Sequence, residues 1–258
     1  MDHDIDDTVT TDRLVGSDRV LAVLIELARR PGEATLEELA RAVASPKSTV
    51  HRALASLTRA GLATKAGVGR YALGDEFLRL AFAHHEARPD HVRILPALRA
   101  LADRYGETAH YAVLDGREVV YRAKVDPPAG AVRLTSTIGG RNPAHCTAVG
   151  KLLLAGLLVD DASARAWARS HRLERRTEHT ITDPSAFAAE MTRIRERGYA
   201  VDDQENELGI NCVAVPVERG PGQAGAASVS ALAYRTPLVV LEHEAATIAA
   251  TVRQASGG

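Results

Sequence analysis

The sequence of 258 residues is poor in several residue types that define particular classes of protein. It contains two cysteines, Cys146 and Cys212, and aromatic residues make up only 4% of it. Two cysteines are too few for a disulfide framework, so we expect both to be free thiols. No run of eighteen apolar residues is present, and the acidic, polar start of the chain lacks the pattern of a secretory signal. We therefore expect a cytoplasmic protein with no membrane partner.

Charge is distributed unevenly along the chain. The net charge is −1 at pH 7, which argues against a surface that is basic throughout. Residues 39–74, however, contain no Asp or Glu. Their cations are Arg41, Lys47, Arg52, Arg59, Lys65 and Arg70. A basic stretch is often only a solvated surface, so charge alone does not distinguish that interpretation from a nucleic-acid interface.

The first sixty residues have the spacing of apolar residues and the boundary residues of three helices. Apolar residues recur at helical intervals over 17–30, which predicts the first helix. Thr35 and Glu38 have the spacing of a capping box at the start of a short second helix. The third helix is predicted over 46–60, with Ser45 as its N-cap. Three short helices in this order are typical of a helix-turn-helix domain.

The third helix has a buried stripe and a free polar face. Val50, Leu54 and Leu57 fall on one side, which we expect to face the core. The residues left on the outer side are Lys47, Ser48, Thr49, His51 and Arg52. Two strand-like segments follow, joined by AGVG and flanked by Lys65 and Arg70, which predicts a β-hairpin wing. A recognition helix reads base edges and a wing contacts phosphates or the minor groove, so the stretch predicts binding to double-stranded operator DNA.

The remainder of the chain alternates strand and helix patterns. Residues 76–89 are predicted to be a linker helix, and residues 90–258 a domain of antiparallel strands with helices beside the sheet. Asp115–Gly116 separates two strand-like segments, as in a hairpin turn, and we expect a further strand over 132–137. The first thirteen residues are predicted to be a disordered tail, since the first twelve hold five Asp and no Lys or Arg. The fold class is therefore α+β.

Several segments resemble the IclR family of bacterial transcriptional regulators. The first is SPKSTVHRAL in the predicted recognition helix, and HCTAVGK, RGYAVDDQENE and GINCVAVPV follow in the second half of the chain. The resemblance extends over nearly the whole chain after about residue 14. It implies a winged helix-turn-helix domain over 14–75, a linker helix, and a GAF-like domain over 90–258 for effector binding and oligomerisation. It also implies a regulator that works as a homodimer or homotetramer.

The resemblance further implies a pocket for a small organic or aromatic acid. Carried over position by position, the pocket residues are Leu134, Asn142, Ala148, Val149, Asp202, Ile210, Cys212, Ser228 and Ser230. Backbone N–H groups in the first helical turn at Ala148 and Val149 are suited to hold a carboxylate. Ser228 and Ser230 are two residues apart, so they face the same side of a strand. Ordinary core packing is the alternative for Val149 and Cys212.

A repressor is the function that we expect from these features, with an activator of the same fold as an alternative. A thiol enzyme or redox sensor that uses Cys146 and Cys212 is the alternative from another class. His145 is adjacent to Cys146, but side chains of adjacent residues point apart, and no nucleophile, phosphate or dinucleotide motif is present. His110, His145 and the two cysteines lack the paired spacing of zinc ligands. We therefore expect no catalytic residue, metal or cofactor.

Overall fold

The computed structural model describes residues 16–86, 89–127, 134–218 and 224–256. Contacts within the chain divide it into two units, Met1–Ala87 and Arg88–Gly258. The acidic tail that we predict over residues 1–13 lies outside the described residues.

The first unit is a three-helix domain with a small antiparallel sheet. Its elements are α1 (Gly16–Ala28), β1 (Ala34–Thr35), α2 (Leu36–Ala42), α3 (Lys47–Arg59), β2 (Ala63–Gly67), β3 (Arg70–Leu73) and α4 (Asp75–Glu86). The strand order is β1-β3-β2. Leu27, Leu39, Val50 and Leu54 are fully buried in one core, so α1, α2 and α3 pack around apolar stripes at the predicted helical spacing. The winged helix-turn-helix architecture is thereby confirmed.

Two helix starts show how well local rules predict this unit. The capping box is confirmed: the Thr35 hydroxyl accepts from the Glu38 N–H at 3.2 Å, and the Glu38 carboxylate accepts from the Thr35 N–H at 2.7 Å. The prediction of Ser45 as the N-cap of α3 was wrong. Pro46 occupies the N-cap, and the Ser45 hydroxyl donates to the Val43 carbonyl at 3.1 Å within the turn between α2 and α3.

The second unit is a six-stranded antiparallel sheet with helices on both faces. Its elements are α5 (Pro89–Tyr105), β4 (Thr108–Asp115), β5 (Glu118–Val125), β6 (Arg141–Pro143), a 3₁₀ turn (Ala144–Cys146), α6 (Ala148–Leu157), α7 (Asp161–Ser170), α8 (Pro184–Arg197), β7 (Ala200–Asp203), β8 (Ile210–Glu218), β9 (Ala224–Leu232), α9 (Leu238–His243) and α10 (Ala245–Ser256). The strand order is β6-β5-β4-β9-β8-β7. This arrangement confirms the α+β class and the GAF-like architecture.

The two faces of the sheet bury different side chains because residues alternate along each strand. Val213 and Val229 point to the face covered by α5 and α10, where they pack with Leu98 and Ile248. The opposite face carries small residues, and α6 packs against it, with α8 packed on α6. The small residues on that face are Ala112, Ala214 and Ala226. Their size allows α6 to lie close to the centre of the sheet, which places its first turn beside β8 and β9.

One expectation for this unit was wrong. Residues 134–137, part of the strand predicted over 132–137, are irregular, and residues 132–133 lie outside the described residues. The ammonium of Lys124 donates to the carbonyls of Leu134 and Ser136 at 2.8 Å each, so a side chain satisfies groups that a neighbouring strand would otherwise satisfy. The end of the unit is helical and is divided into α9 and α10 at Glu244.

Candidate functional site

The outer face of α3 is polar and accessible. Lys47, Ser48, His51 and Arg52 are exposed and Thr49 is partly buried. The predicted inner stripe, Val50, Leu54 and Leu57, is buried. The helix starts with Lys47, so all five polar residues lie in its first two turns. Side chains in this position on a recognition helix reach base edges in the major groove.

Lys47 of α3 and Arg70 of β3 form surface ion pairs with acids that precede the acid-free stretch. The Nζ of Lys47 lies 3.1 Å from an oxygen of Glu37, and the Nε of Arg70 lies 2.8 Å from an oxygen of Glu33. Sequence reasoning missed both acids because each lies outside residues 39–74 and is brought in by the fold. Exposed pairs of this kind contribute about 0–1 kcal/mol, so a phosphate can replace the carboxylate at small cost.

The hairpin of β2 and β3 forms the wing. Lys65 and Arg70 are exposed on its two strands, and Val68 is fully exposed at its tip. Gly67 and Gly69 adopt φ of +136° and +68°, a backbone conformation that favours glycine and permits the tight turn. Within the described part of the chain, no hydrogen bond or ion pair engages the side chain of Arg52 or Lys65. Their charges are available to an approaching polyanion.

The second unit contains a cavity of about 230 Å³ between the sheet, the start of α6 and the segment 134–142. All nine residues that the sequence predicted for the pocket line it: Leu134, Asn142, Ala148, Val149, Asp202, Ile210, Cys212, Ser228 and Ser230. They come from six separate parts of the chain. The cavity is thus a property of the tertiary fold rather than of any one motif.

Sequence reasoning missed other residues of the cavity wall. The polar ones are His110, Tyr121, Thr135, Ser136, Thr137, Arg141, Thr147, Arg176, Asn206 and Glu207. His110 lies on β4 directly opposite Ser228 of β9, a pairing that the strand order of the sheet sets. The first residues of segment 134–140 were expected to form a strand, so of this segment only Leu134 was assigned to the pocket.

The first turn of α6 borders the cavity and is held in a defined geometry. The Thr147 hydroxyl accepts from the N–H of Gly150 at 3.2 Å and caps the helix. The other N–H groups of a first turn have no partner within the helix, and the dipole makes this end positive. A Cβ on Gly150 would meet the Ala144 carbonyl oxygen at 2.3 Å, so only glycine allows the 3₁₀ turn to lie this close to α6.

Asp202 contributes a buried carboxyl group to the cavity. Its Oδ1 accepts from the N–H groups of Glu205 at 2.7 Å and Asn206 at 3.4 Å. Burial raises the pKa of Asp202 to about 7, against the opposing effect of the nearby Lys151 ammonium. Lys151 is itself buried and pairs with Glu205 and, at 3.6 Å, with Glu190. The carboxyl group of Asp202 can therefore donate a hydrogen bond to a ligand when it is protonated and accept one when it is ionised, and both forms occur near neutral pH.

A chain of hydrogen bonds extends along another side of the cavity. The thiol of Cys212 donates to Ser230 Oγ at 3.1 Å, and Ser230 Oγ lies 3.3 Å from Nδ1 of His110. Nε2 of the same ring lies 2.7 Å from Ser136 Oγ. Burial, aided by the Lys124 ammonium, lowers the pKa of His110 to about 3, so the ring is neutral.

The aromatic wall of the cavity is Tyr121. Its hydroxyl accepts from the Asn142 amide at 3.2 Å, and its ring lies 4.9 Å from that of His110, centroid to centroid. The phenol proton is therefore free to be donated elsewhere.

Neither cysteine has the surroundings of a reactive thiol. Burial raises the pKa of Cys146 to about 12, and it raises the pKa of Cys212 well above its ordinary value. The thiolate is the nucleophile in thiol chemistry, so both environments work against that chemistry. Among the described residues, no group of three or more His, Cys, Asp or Glu side chains is arranged to hold a metal ion. No helix in the described ranges is long and apolar enough to cross a membrane.

A winged helix with an exposed cationic face and an α+β unit that encloses a polar cavity define a class of protein. That class is the DNA-binding transcriptional regulator with its own effector domain.

Comparison with known proteins identifies the family. Residues 91–257 match the family described as bacterial transcriptional regulator IclR C-terminal, and residues 17–67 match the IclR helix-turn-helix domain. The Pca regulon regulatory protein of Pseudomonas putida is 32% identical over 209 residues, which are 81% of this chain and 71% of that protein. The transcriptional repressor IclR of Escherichia coli is 30% identical over 199 residues, 76% of this chain and 72% of that protein. The chain belongs to the IclR family.

Solved structures agree with this assignment. An IclR transcriptional regulator from Alicyclobacillus acidocaldarius has a TM-score of 0.79 at 26% identity, over 95% of this chain and 98% of that chain. An IclR homologue from Microbacterium hydrocarbonoxydans, solved with 4-hydroxybenzoate, has a TM-score of 0.74 over 91% of this chain and 99% of that chain. At 24% identity the second likeness bears on the fold alone. The resemblance inferred from the sequence is confirmed.

Proposed function

We propose that this protein is a transcriptional repressor whose affinity for operator DNA is controlled by a small organic or aromatic acid. The observation that carries the proposal is the cavity of about 230 Å³, in which nine predicted residues meet at the start of a helix. Its volume suits a ligand smaller than the drug-sized molecules that fill cavities of about 300–1,000 Å³.

Operator binding is assigned to the first unit. The outer face of α3 reads bases, and the wing contacts the backbone or the minor groove. The proposed contact residues are Lys47, Ser48, Thr49, His51, Arg52, Lys65 and Arg70. Their exposure and the basic character of residues 39–74 support this assignment. We place the DNA-binding domain at 14–75, the linker helix at 76–89 and the effector and oligomerisation domain at 90–258.

An acid is the favoured class of effector for the second unit. The backbone N–H groups at Ala148 and Val149 form an anion site at the positive end of α6. Hydroxyl groups of Ser228 and Ser230 supply donors from β9, and Tyr121 supplies a phenol and an aromatic surface. The IclR homologue of the same fold from Microbacterium hydrocarbonoxydans was solved with 4-hydroxybenzoate, an acid of the proposed class.

Repression is favoured over activation by the names of relatives, such as the transcriptional repressor IclR of Escherichia coli. Whether the protein represses or activates depends on where the operator lies relative to the promoter.

Homodimers or tetramers are proposed because paired winged helices match a pseudo-palindromic operator. Large apolar side chains exposed on α1 and α4 support such a contact: Leu21, Ile25, Leu78 and Phe82.

The effector changes DNA affinity only to the extent that it binds one arrangement of the protein better than the other. The test is a thermal-shift screen of small carboxylic and aromatic acids, followed by operator binding at fixed salt with and without each acid that raises the melting temperature. We expect an acid that stabilises the protein to change operator affinity, and Ser230→Ala to blunt that change while operator binding without effector is retained. If no acid in the screen stabilises the protein, the proposed effector class is wrong.

The alternative from another class is a thiol-based redox sensor or enzyme. It predicts that a protein with both Cys146 and Cys212 changed to Ser loses its response to oxidant. The proposed function predicts that operator binding by the same variant, measured without effector, stays unchanged. The two outcomes are measured on one variant, so a single experiment separates the hypotheses.

A further inference from the structure

His110 joins two hydroxyl groups that both border the cavity. Its Nδ1 lies 3.3 Å from Ser230 Oγ and its Nε2 lies 2.7 Å from Ser136 Oγ. Ser230 belongs to β9, whereas Ser136 belongs to the irregular segment whose carbonyls are held by Lys124. The imidazole therefore links one wall of the cavity to another through two hydrogen bonds.

The ring carries a single proton in this setting. His110 is only 2% exposed, and the Lys124 ammonium nearby opposes a second positive charge. A neutral imidazole has one N–H donor and one bare nitrogen acceptor. One serine must then donate its hydroxyl proton to the ring, and the other must accept from the ring.

The proton arrangement limits what the two serines present to a ligand. A serine that donates to the ring turns only lone pairs to the cavity, whereas the serine that accepts from the ring can donate its proton to a ligand. If both serines donated to a ligand, the bare ring nitrogen would face a hydroxyl oxygen with no proton between them. A buried acceptor left without a donor costs about 1–3 kcal/mol, which corresponds to roughly 5- to 150-fold in affinity.

We propose that His110 is a specificity-determining residue that makes Ser136 and Ser230 a complementary pair, one donor and one acceptor. The pair selects a ligand with one acceptor and one donor in this region, such as a hydroxy-substituted monocarboxylic acid, and disfavours a dicarboxylate. This inference rests on the proposed function, because it assigns chemistry to the effector cavity.

The experiment compares acids that differ in one group. The pairs are 3-hydroxybenzoate with isophthalate and 3-hydroxypropanoate with succinate, in each of which a hydroxyl is replaced by a second carboxylate. Dissociation constants are measured by calorimetry on the full-length protein at pH 7.5. We expect the hydroxy acid of at least one pair to bind about 5- to 100-fold more tightly than its partner.

Two variants separate the effect of the ring from general repulsion by Asp202. His110→Phe keeps an aromatic ring against Tyr121 but releases both hydroxyls, so the preference should fall to about 3-fold or less. His110→Gln retains one donor and one acceptor and should preserve the preference. A preference that survives in His110→Phe overturns the role of His110 and leaves the proposed function intact. Failure of all four acids to bind counts against the proposed function instead.

A measurement on the unliganded wild-type protein tests the same inference without depending on either variant. Nitrogen-15 NMR of labelled histidine should show His110 as a neutral ring with one N–H from pH 5 to pH 8. A doubly protonated ring at pH 6 would overturn the proposal, because both serines could then accept from the ring and donate to a ligand.

Discussion

The ammonium of Lys151 and the carboxylate of Glu205 form an ion pair in the interior of the second unit, 54 residues apart in the chain. Lys151 is 1% exposed, and Glu190 on α8 lies on its other side. These three charged side chains are connected to Asp202 through Glu205, whose N–H donates a hydrogen bond to the Asp202 carboxyl group. The first turn of α6 and the carboxyl group of the cavity are thus positioned by one buried set of charges.

Replacing Lys151 with Met should destabilise the protein by about 3–5 kcal/mol, because the change leaves the buried carboxylate of Glu205 without its cation. The measurement is the free energy of unfolding in urea. Arg165→Met is the matched control, since Arg165 pairs with Asp161 on the surface and its loss should cost less than about 1 kcal/mol. Equal effects of the two substitutions would contradict the structural role of Lys151.

Two glycines of the same helix should respond in opposite directions to alanine. Gly150→Ala brings a Cβ to 2.3 Å from the Ala144 carbonyl oxygen, so it should destabilise the protein and weaken effector binding. At Gly156 a Cβ meets nothing within 4 Å, so Gly156→Ala should stabilise the protein by about 0.5–1 kcal/mol through helix propensity. Thermal unfolding of both variants checks the sign of each change.

Exposed cations of the first unit should differ in their effect on operator binding. Arg52→Ala should cost about 1–3 kcal/mol and relax sequence preference, whereas Lys65→Ala should weaken binding to all sequences and reduce the salt slope by about 1. Arg59→Ala is the control, because Arg59 lies at the far end of α3 and donates to Ser56. Unchanged affinity after Arg52→Ala would mean that α3 is not the recognition helix.

Neutralising Glu37 should strengthen operator binding. Glu37 pairs with Lys47 at 3.1 Å, so it competes with DNA phosphate for that ammonium. We expect Glu37→Gln to increase affinity by about 2- to 5-fold at low salt, with a smaller gain at high salt because surface charges are screened. Binding isotherms at two salt concentrations provide the measurement, and an affinity decrease would contradict the competition.

The stability of the second unit should depend on pH through Asp202. Its pKa is about 7 in the folded protein, above the ordinary value of 3.8, because the carboxyl group is buried. The native state therefore holds this proton more tightly than the unfolded state, and the free energy of unfolding falls as pH rises from about 4 to 7. Asp202→Asn should remove a destabilisation of the order of 1–4 kcal/mol that is present above pH 7. Exposed Asp203→Asn, measured in parallel, should leave the pH profile unchanged.

Local interactions account for what the sequence by itself determined. The capping box of Thr35 and Glu38, the buried stripe of α3 and the turn at Asp115–Gly116 depend on residues close in the chain, and propensity and spacing describe them. The family resemblance added the nine pocket positions, which are far apart in the chain and carry no common local pattern. The prediction of Ser45 as the N-cap of α3 failed because its hydroxyl donates to the Val43 carbonyl in the turn between α2 and α3.

Only the tertiary structure decided how the charges and hydroxyls are paired. Glu37 against Lys47, Lys151 against Glu205, and His110 between Ser136 and Ser230 are contacts across separate elements. The contacts of His110 depend on the pairing of β4 with β9 and on the irregular segment that contains Ser136. A hydrogen bond or an ion pair requires a distance of about 3 Å, and packing of the whole domain sets such distances between residues remote in the chain.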